Sequence, residues 1–191
     1  MLTNRIIGAF SFRREVYAEV EKDATFTTTA WLLVIVVAFL NQLGSRASGN
    51  LVNWLIGAVV GTIFAVVGFA VAALVINWVG RALFNADVTF EEMVRTLGLA
   101  YVWNVIGVIG ALAAFSEALS CLLAPVTIIA VILLVVSWFV AAKEALDLDW
   151  VQTIVTVILG WIALVAITII AGVVLGLLGL GAAVVGGLLG F

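Results

Sequence analysis

Histidine is absent from this chain, and cysteine occurs once, at Cys121. Those two scarcities exclude a His/Cys metal centre, any catalytic arrangement built on an imidazole, and an internal disulfide. Charge is scarce as well. Asp, Glu, Lys and Arg make up 10% of the 191 residues, against roughly 25% in an ordinary soluble domain. So few charges cannot keep a water-facing surface in solution. The net charge of −3 offers no basic face for phosphate, which argues against a nucleic-acid partner. No secretory signal is expected at the start, because residues 1–24 are charged and amphipathic and no small-residue cleavage site follows the first apolar run.

What is abundant is apolar: 66% of residues are hydrophobic, and the mean hydropathy is +1.37. A helix crosses the hydrocarbon layer with about 20 mostly apolar residues. Runs of that kind lie at about 25–43, 51–79, 97–115, 125–142 and 151–178. The expectation is an all-α polytopic membrane protein, a bundle of five transmembrane helices. A cytosolic interfacial segment (1–24) precedes it and a glycine-rich apolar tail (179–191) follows. Pro125 suits the first turn of the fourth span. Asp149 and Gln152 are spaced as a capping box for the fifth. From Val151 onward no charge appears, and a continuous helix to the end would be about 60 Å long. A tail at the outer interface and a sixth short span both fit that stretch.

Positive charge orients such a bundle. Arg5, Arg13, Arg14 and Lys22 precede the first span, Arg81 and Arg95 lie between the second and third, and Lys143 lies between the fourth and fifth. Only Arg46 falls on the other side. The N-terminus is therefore expected in the cytoplasm and the C-terminus outside. Trp31, Trp54, Trp78, Trp138 and Trp150 fall near the proposed span ends, where indole rings favour the headgroup region. Trp103 and Trp161 lie deeper, as packing residues.

Two segments carry most of the charge. In "TFEEMVRTLGLAYVW" (89–103), Thr89 and Glu92 form a capping-box pattern, Glu91 and Arg95 have the favourable i,i+4 order, and Phe90, Met93, Val94 and Leu97 share the opposite face. Local helix physics accounts for Glu91, Glu92 and Arg95 without a reaction: they steer an interfacial helix into the membrane. "FSFRREVYAEVEKDATF" (10–26) repeats the design, with Phe12, Val16, Tyr17, Val20 and Ala24 on one side. It reads as an interfacial helix feeding the first span, or as a docking surface with Arg14 and Tyr17 as anchors. It is not polybasic, so strong recognition of anionic lipid is not expected.

Inside the spans the polar residues are modest: Thr62, Asn104, Thr127, Ser137, Thr156 and Thr168. Hydrogen bonds between helices are their expected role, with Asn104 the one amide about two turns into a span. No ionisable residue lies deep in a span, although proton relays, transporters and intramembrane enzymes usually need one. Small-xxx-small steps at Gly57/Gly61, Gly172/Gly176 and Gly186/Gly190, with Gly107 and Gly110 on the third span, permit close helix approach. They serve internal packing or a seam for self-association. Cys121 has no base or positive group nearby in sequence and reads as a small apolar residue. Asp147 and Asp149 lack further oxygen ligands for a cation.

"REVYAEVEKD" before the first span, "FEEMVRTLGLAY" at the start of the third and "AAKEALDLDWVQTIVTVILGWI" between the fourth and fifth resemble the Yip-domain family of membrane proteins. Together these pieces cover most of residues 12–165 in order and spacing. Members often carry a proline just before the first interfacial helix, where this chain has "FSFRRE", and another after the tyrosine-bearing motif, where it has "YVWNVIG". The long cytosolic extension of eukaryotic members is not expected here. Those eukaryotic members interact with Rab-type GTPases. The resemblance implies a short prokaryotic member of the inner membrane, and a Rab partner is not carried over to it. The expected function is that of a non-enzymatic scaffold or interaction protein, without cofactor, acting on membrane lipid, other membrane subunits or copies of itself. An accessory subunit of a larger respiratory, photosynthetic or transport complex is the first alternative. A carrier or channel for a small neutral or apolar solute is the second.

Overall fold

A computed structural model describes residues 2–45 and 51–177. Among these residues every element is a helix: α1 (Leu2–Phe10), α2 (Arg14–Lys22), α3 (Phe26–Ser45), α4 (Leu51–Phe84), α5 (Phe90–Ala100), α6 (Glu117–Leu146) and α7 (Trp150–Leu177). α5 runs on as a tighter 3-10 helix through Tyr101–Phe115. Five stretches are long and apolar enough to cross a membrane: Phe26–Ser45, Trp54–Phe84, Phe90–Leu112, Cys121–Leu146 and Trp150–Ile167. The tail from residue 178 onward lies outside the described residues, as do Gly186, Gly190 and Arg46.

α5 and its continuation stand between α3 and α6, while α4 packs on α3 and α7. At mid-bundle the aromatic rings meet edge to face. Phe69 lies 5.7 Å from Trp31, 5.4 Å from Tyr101 and 6.1 Å from Trp138, and Trp138 lies 6.0 Å from Trp161. Such T-shaped pairs set the positive edge of one ring on the negative face of the next. Trp138 thus belongs to the core, at 2% exposure, and not to the headgroup belt that its place near a span end suggested. Ring contacts on two sides outweigh what an interfacial indole would gain. Trp78 and Trp150 do remain exposed.

Two further expectations are corrected. Pro125 does not open the fourth span: α6 begins at Glu117 and carries the proline inside. Breaking the helix there would strand several backbone groups in lipid, whereas the proline forfeits one hydrogen bond, so continuing is the smaller cost. The N-terminal segment is not one helix but two. Phe12 takes the left-handed conformation, φ 52°, and its amide donates to the Ala9 carbonyl at 3.2 Å while the Arg13 amide donates to Gly8 at 3.0 Å. That pair of bonds terminates α1 in a Schellman motif, in which glycine usually holds the left-handed position. Here Phe12 holds it and stacks on Trp103 at 5.4 Å, with Phe10 edge-on to the same indole at 4.9 Å.

Candidate functional site: the charged end of the bundle

The capping box of α5 forms as its residue types dictate. Thr89 Oγ1 accepts from the Glu92 amide at 3.2 Å, and Glu92 Oε2 accepts from the Thr89 amide at 2.7 Å. One turn later the structure departs from a simple polar face. Glu91 is exposed, but Arg95 and Thr96 are buried, at 6% and 0% exposure. The Arg95 guanidinium turns to α2: Nε donates to the Glu21 carbonyl at 2.9 Å, and Nη2 donates to the same oxygen. Nη1 donates to Thr27 Oγ1 at the start of α3, 3.1 Å away. A cation at the carbonyl end of α2 also meets the negative pole of that helix. Arg95 therefore joins α2, α3 and α5. The expected Glu91–Arg95 pair gives way to a looser one with Glu92, 3.8 Å from Nη2, because the α2 terminus claims the guanidinium fork.

Tyr17 is fully buried and so does not present a surface anchor. Its hydroxyl lies 2.9 Å from Ser137 Oγ on α6 and donates to the Ala9 carbonyl at 3.4 Å. Burial pushes the phenol up to about 12, partly opposed by the Ser137 hydrogen bond. Ser137, read from the sequence as an interhelical partner within the spans, serves α2 instead. Arg14 is exposed at the surface, 3.3 Å from Glu144 Oε1 and 5.6 Å from the centre of the Trp150 ring. Lys143 sits over the same ring at 5.5 Å and donates to the Leu148 carbonyl at 2.7 Å.

Arg5 has no signature in the sequence beyond its charge, yet it holds α1 in place. It binds Glu19 Oε1 at 2.7 Å and Asp23 Oδ2 at 2.7 Å, and its guanidinium lies 4.9 Å from the centre of the Phe26 ring. Hydrogen bonds from Thr25 and then from Arg5 hold the Asp23 carboxyl below its usual range. Glu21 shifts the other way. Desolvation, followed by the nearby Asp147 and Glu92 charges, raises it.

The glycines and Asn104 stand deeper. Asn41 Nδ2 on α3 donates to the backbone carbonyl of Asn104 at 3.0 Å. Beside this bond a Cβ on Gly107 would collide with the Asn41 amide, and one on Gly110 would sit 3.1 Å from the Gly44 carbonyl oxygen. Gly57 is half-buried and Gly61 buried on α4. Gly172 and Gly176 belong to the last turns of α7, where side-chain surroundings are outside the described residues. The structure thus brings Arg14, Tyr17, Glu92 and Arg95 to one end and keeps Asn104, Gly107 and Gly110 at depth. Among the described residues no group of three His, Cys, Asp or Glu side chains could hold a metal ion, and Cys121 is exposed.

The family model described as Yip1 domain matches residues 7–172. No curated protein and no solved structure is significantly similar to the chain. The matched span begins in α1 and ends within α7, so it takes in both the membrane helices and the charged end.

Proposed function

The chain belongs to the Yip1 domain family, and from that premise we propose that this multi-pass membrane protein is a non-enzymatic scaffold of the prokaryotic inner membrane. It works through the charged end formed by α1, α2 and the start of α5. The observation that carries this reading is the Arg95 junction. A buried guanidinium is costly at the edge of a membrane unless every donor has work to do, and here it serves only to bind α2 and α3 to α5. Its donors are committed to backbone and hydroxyl oxygens, as in a rigid mount and unlike a proton relay. The mount presents Arg14, Glu91 and the α1–α2 hairpin outward, facing the cytoplasm by the positive-inside rule. Membrane lipid and other membrane proteins, or further copies of this chain, are the partners that such a face and its apolar spans suit. Nucleic acid is not among them.

Extraction from native membranes in mild detergent, with the particle mass measured and accompanying polypeptides identified, tests the proposal. A defined particle holding a second copy or a constant partner is expected, and that partner would depend on Arg14 and Glu91. Recovery as a lone monomer would overturn the scaffold reading. Recovery inside a large multi-subunit enzyme or transporter would replace it with an accessory-subunit role.

A further inference from the structure

The arms of the α1–α2 hairpin enclose a cleft of about 400 Å³ lined by Asn4, Arg5, Arg13, Glu15, Val16 and Glu19. That volume falls within the range of small-ligand pockets. Two cations and two carboxylates line it, so it is neutral overall, and two of these four charged groups are unengaged. Arg5 is engaged with Glu19 Oε1 and Asp23. Arg13 and Glu15 have no ion pair or side-chain hydrogen bond among the described residues, and Glu19 keeps its second oxygen.

A purely anionic ligand would meet Glu15 and Glu19, and a purely cationic one would meet Arg5 and Arg13. A zwitterion satisfies both. The Arg13 fork suits a phosphate, while Glu15 and Glu19 are acceptors for an N–H-bearing ammonium. The surroundings suit a lipid headgroup. Arg5 stands over Phe26, the first residue of the first span, and α1 exposes Leu2 and Ile7 to 43% and 54%, giving an apolar flank for acyl chains. We propose that the α1–α2 cleft binds the phosphoethanolamine headgroup of a phospholipid. This rests on the membrane-surface placement of the charged end, and not on its scaffold role.

Purified full-length protein, exchanged into nanodiscs of equal phosphatidylethanolamine, phosphatidylcholine and phosphatidylglycerol, is released and its retained lipid counted by native mass spectrometry. Phosphatidylethanolamine is expected to exceed phosphatidylcholine by about tenfold, since the quaternary ammonium of choline donates no hydrogen bond to a carboxylate. Glu15→Ala brings the ratio close to one, while Arg13→Ala lowers both lipids together and preserves it. Both residues are exposed, and an unchanged elution volume verifies that each variant is folded. Equal retention by the wild type, preference for phosphatidylglycerol, or a preference that survives Glu15→Ala overturns the proposal. Saturation by soluble phosphoethanolamine with no preference among lipids would assign the cleft to a soluble zwitterion and overturn it too. Recovery of the protein as a lone monomer would end the scaffold reading and leave this lipid preference standing.

Discussion

Arg95 shows how one side chain can set the geometry of a membrane surface. Its three nitrogens serve a helix terminus and a hydroxyl, so Arg95→Met leaves the end of α2 without its partner. The expected loss is about 1.5–3 kcal/mol, the range for hydrogen bonds to a charged group, read as a lower unfolding midpoint in detergent. Arg95→Lys recovers only part of this, because an ammonium lacks the planar fork. Recovery of the full midpoint by lysine would mean that charge alone matters there. Tyr17 makes a second prediction, in alkali. Its phenol is neutral when protonated, and burial holds its folded value near 12, above the ordinary 10. A raised acid stabilises the fold fully below the unfolded value and loses that contribution as pH rises through the folded one. Between pH 10 and 12 the wild type should therefore lose stability by up to about 2 kcal/mol more than Tyr17→Phe. At neutral pH the same substitution costs about 1 kcal/mol, since Ser137 Oγ loses its partner. Parallel pH profiles for the two proteins would remove Tyr17 from this account.

At the scale of elements, the seam between α3 and the continuation of α5 depends on the absence of side chains. A Cβ on Gly44 would overlap the Gly107 carbonyl oxygen and come within 2.8 Å of the Val108 Cα. Both are backbone, so no rotamer change relieves the clash. Gly44→Ala is expected to cost about 3 kcal/mol, the upper part of the range for overpacking, whereas Gly68→Ala meets only Leu164 Cγ at 3.9 Å and should be nearly neutral. Equal unfolding midpoints for the two variants would show that the seam is not tightly closed. Gly107 and Gly110 are visible in the sequence within the third span, whereas Gly44 falls just past the end of the first apolar run at 25–43 and so carries no packing signal there. The same limit explains other misses. Apolar length reveals helices through the 20-residue requirement, and the Thr89 capping box is purely local, so both were legible. The α1–α2 break at Phe12 carries no glycine or proline to announce it. Pro125 signals a helix start in water, but in lipid the unpaired backbone of a broken helix weighs more. Arg95 looked solvent-facing because helical periodicity places it beside Glu91. Only the return of α2 from far along the chain buries it.

For the whole molecule, the governing feature is that charge is confined to the ends of the spans. Arg5 joins Glu19 and Asp23, Arg14 joins Glu144, and Arg95 joins α2 to α5, so the N-terminal helices, the start of α5 and the end of α6 share one end. Ser45, Leu51 and Ser116 mark the other ends of α3, α4 and the α5 continuation. By the positive-inside rule the Arg95 end is expected in the cytoplasm, the orientation proposed above. Cys121 is the sole cysteine, so a Cys121→Ser background permits single-cysteine mapping at two exposed sites, Glu91 and Ser116. Glu91 lies in the first turn of α5 and Ser116 just past its continuation, with roughly 45 Å of helix between them by the rise per residue of each type, more than the hydrocarbon thickness. In intact cells a membrane-impermeant maleimide should label Ser116→Cys and leave Glu91→Cys unlabelled until the membrane is opened. The reverse pattern would invert the orientation while leaving the five-helix bundle intact. Labelling of both from the same side would be a deeper failure, because it would mean that the central helix of the bundle does not cross the membrane. The Arg95 end and the Ser116 end would then face one compartment, and the cation asymmetry would have no membrane to act across.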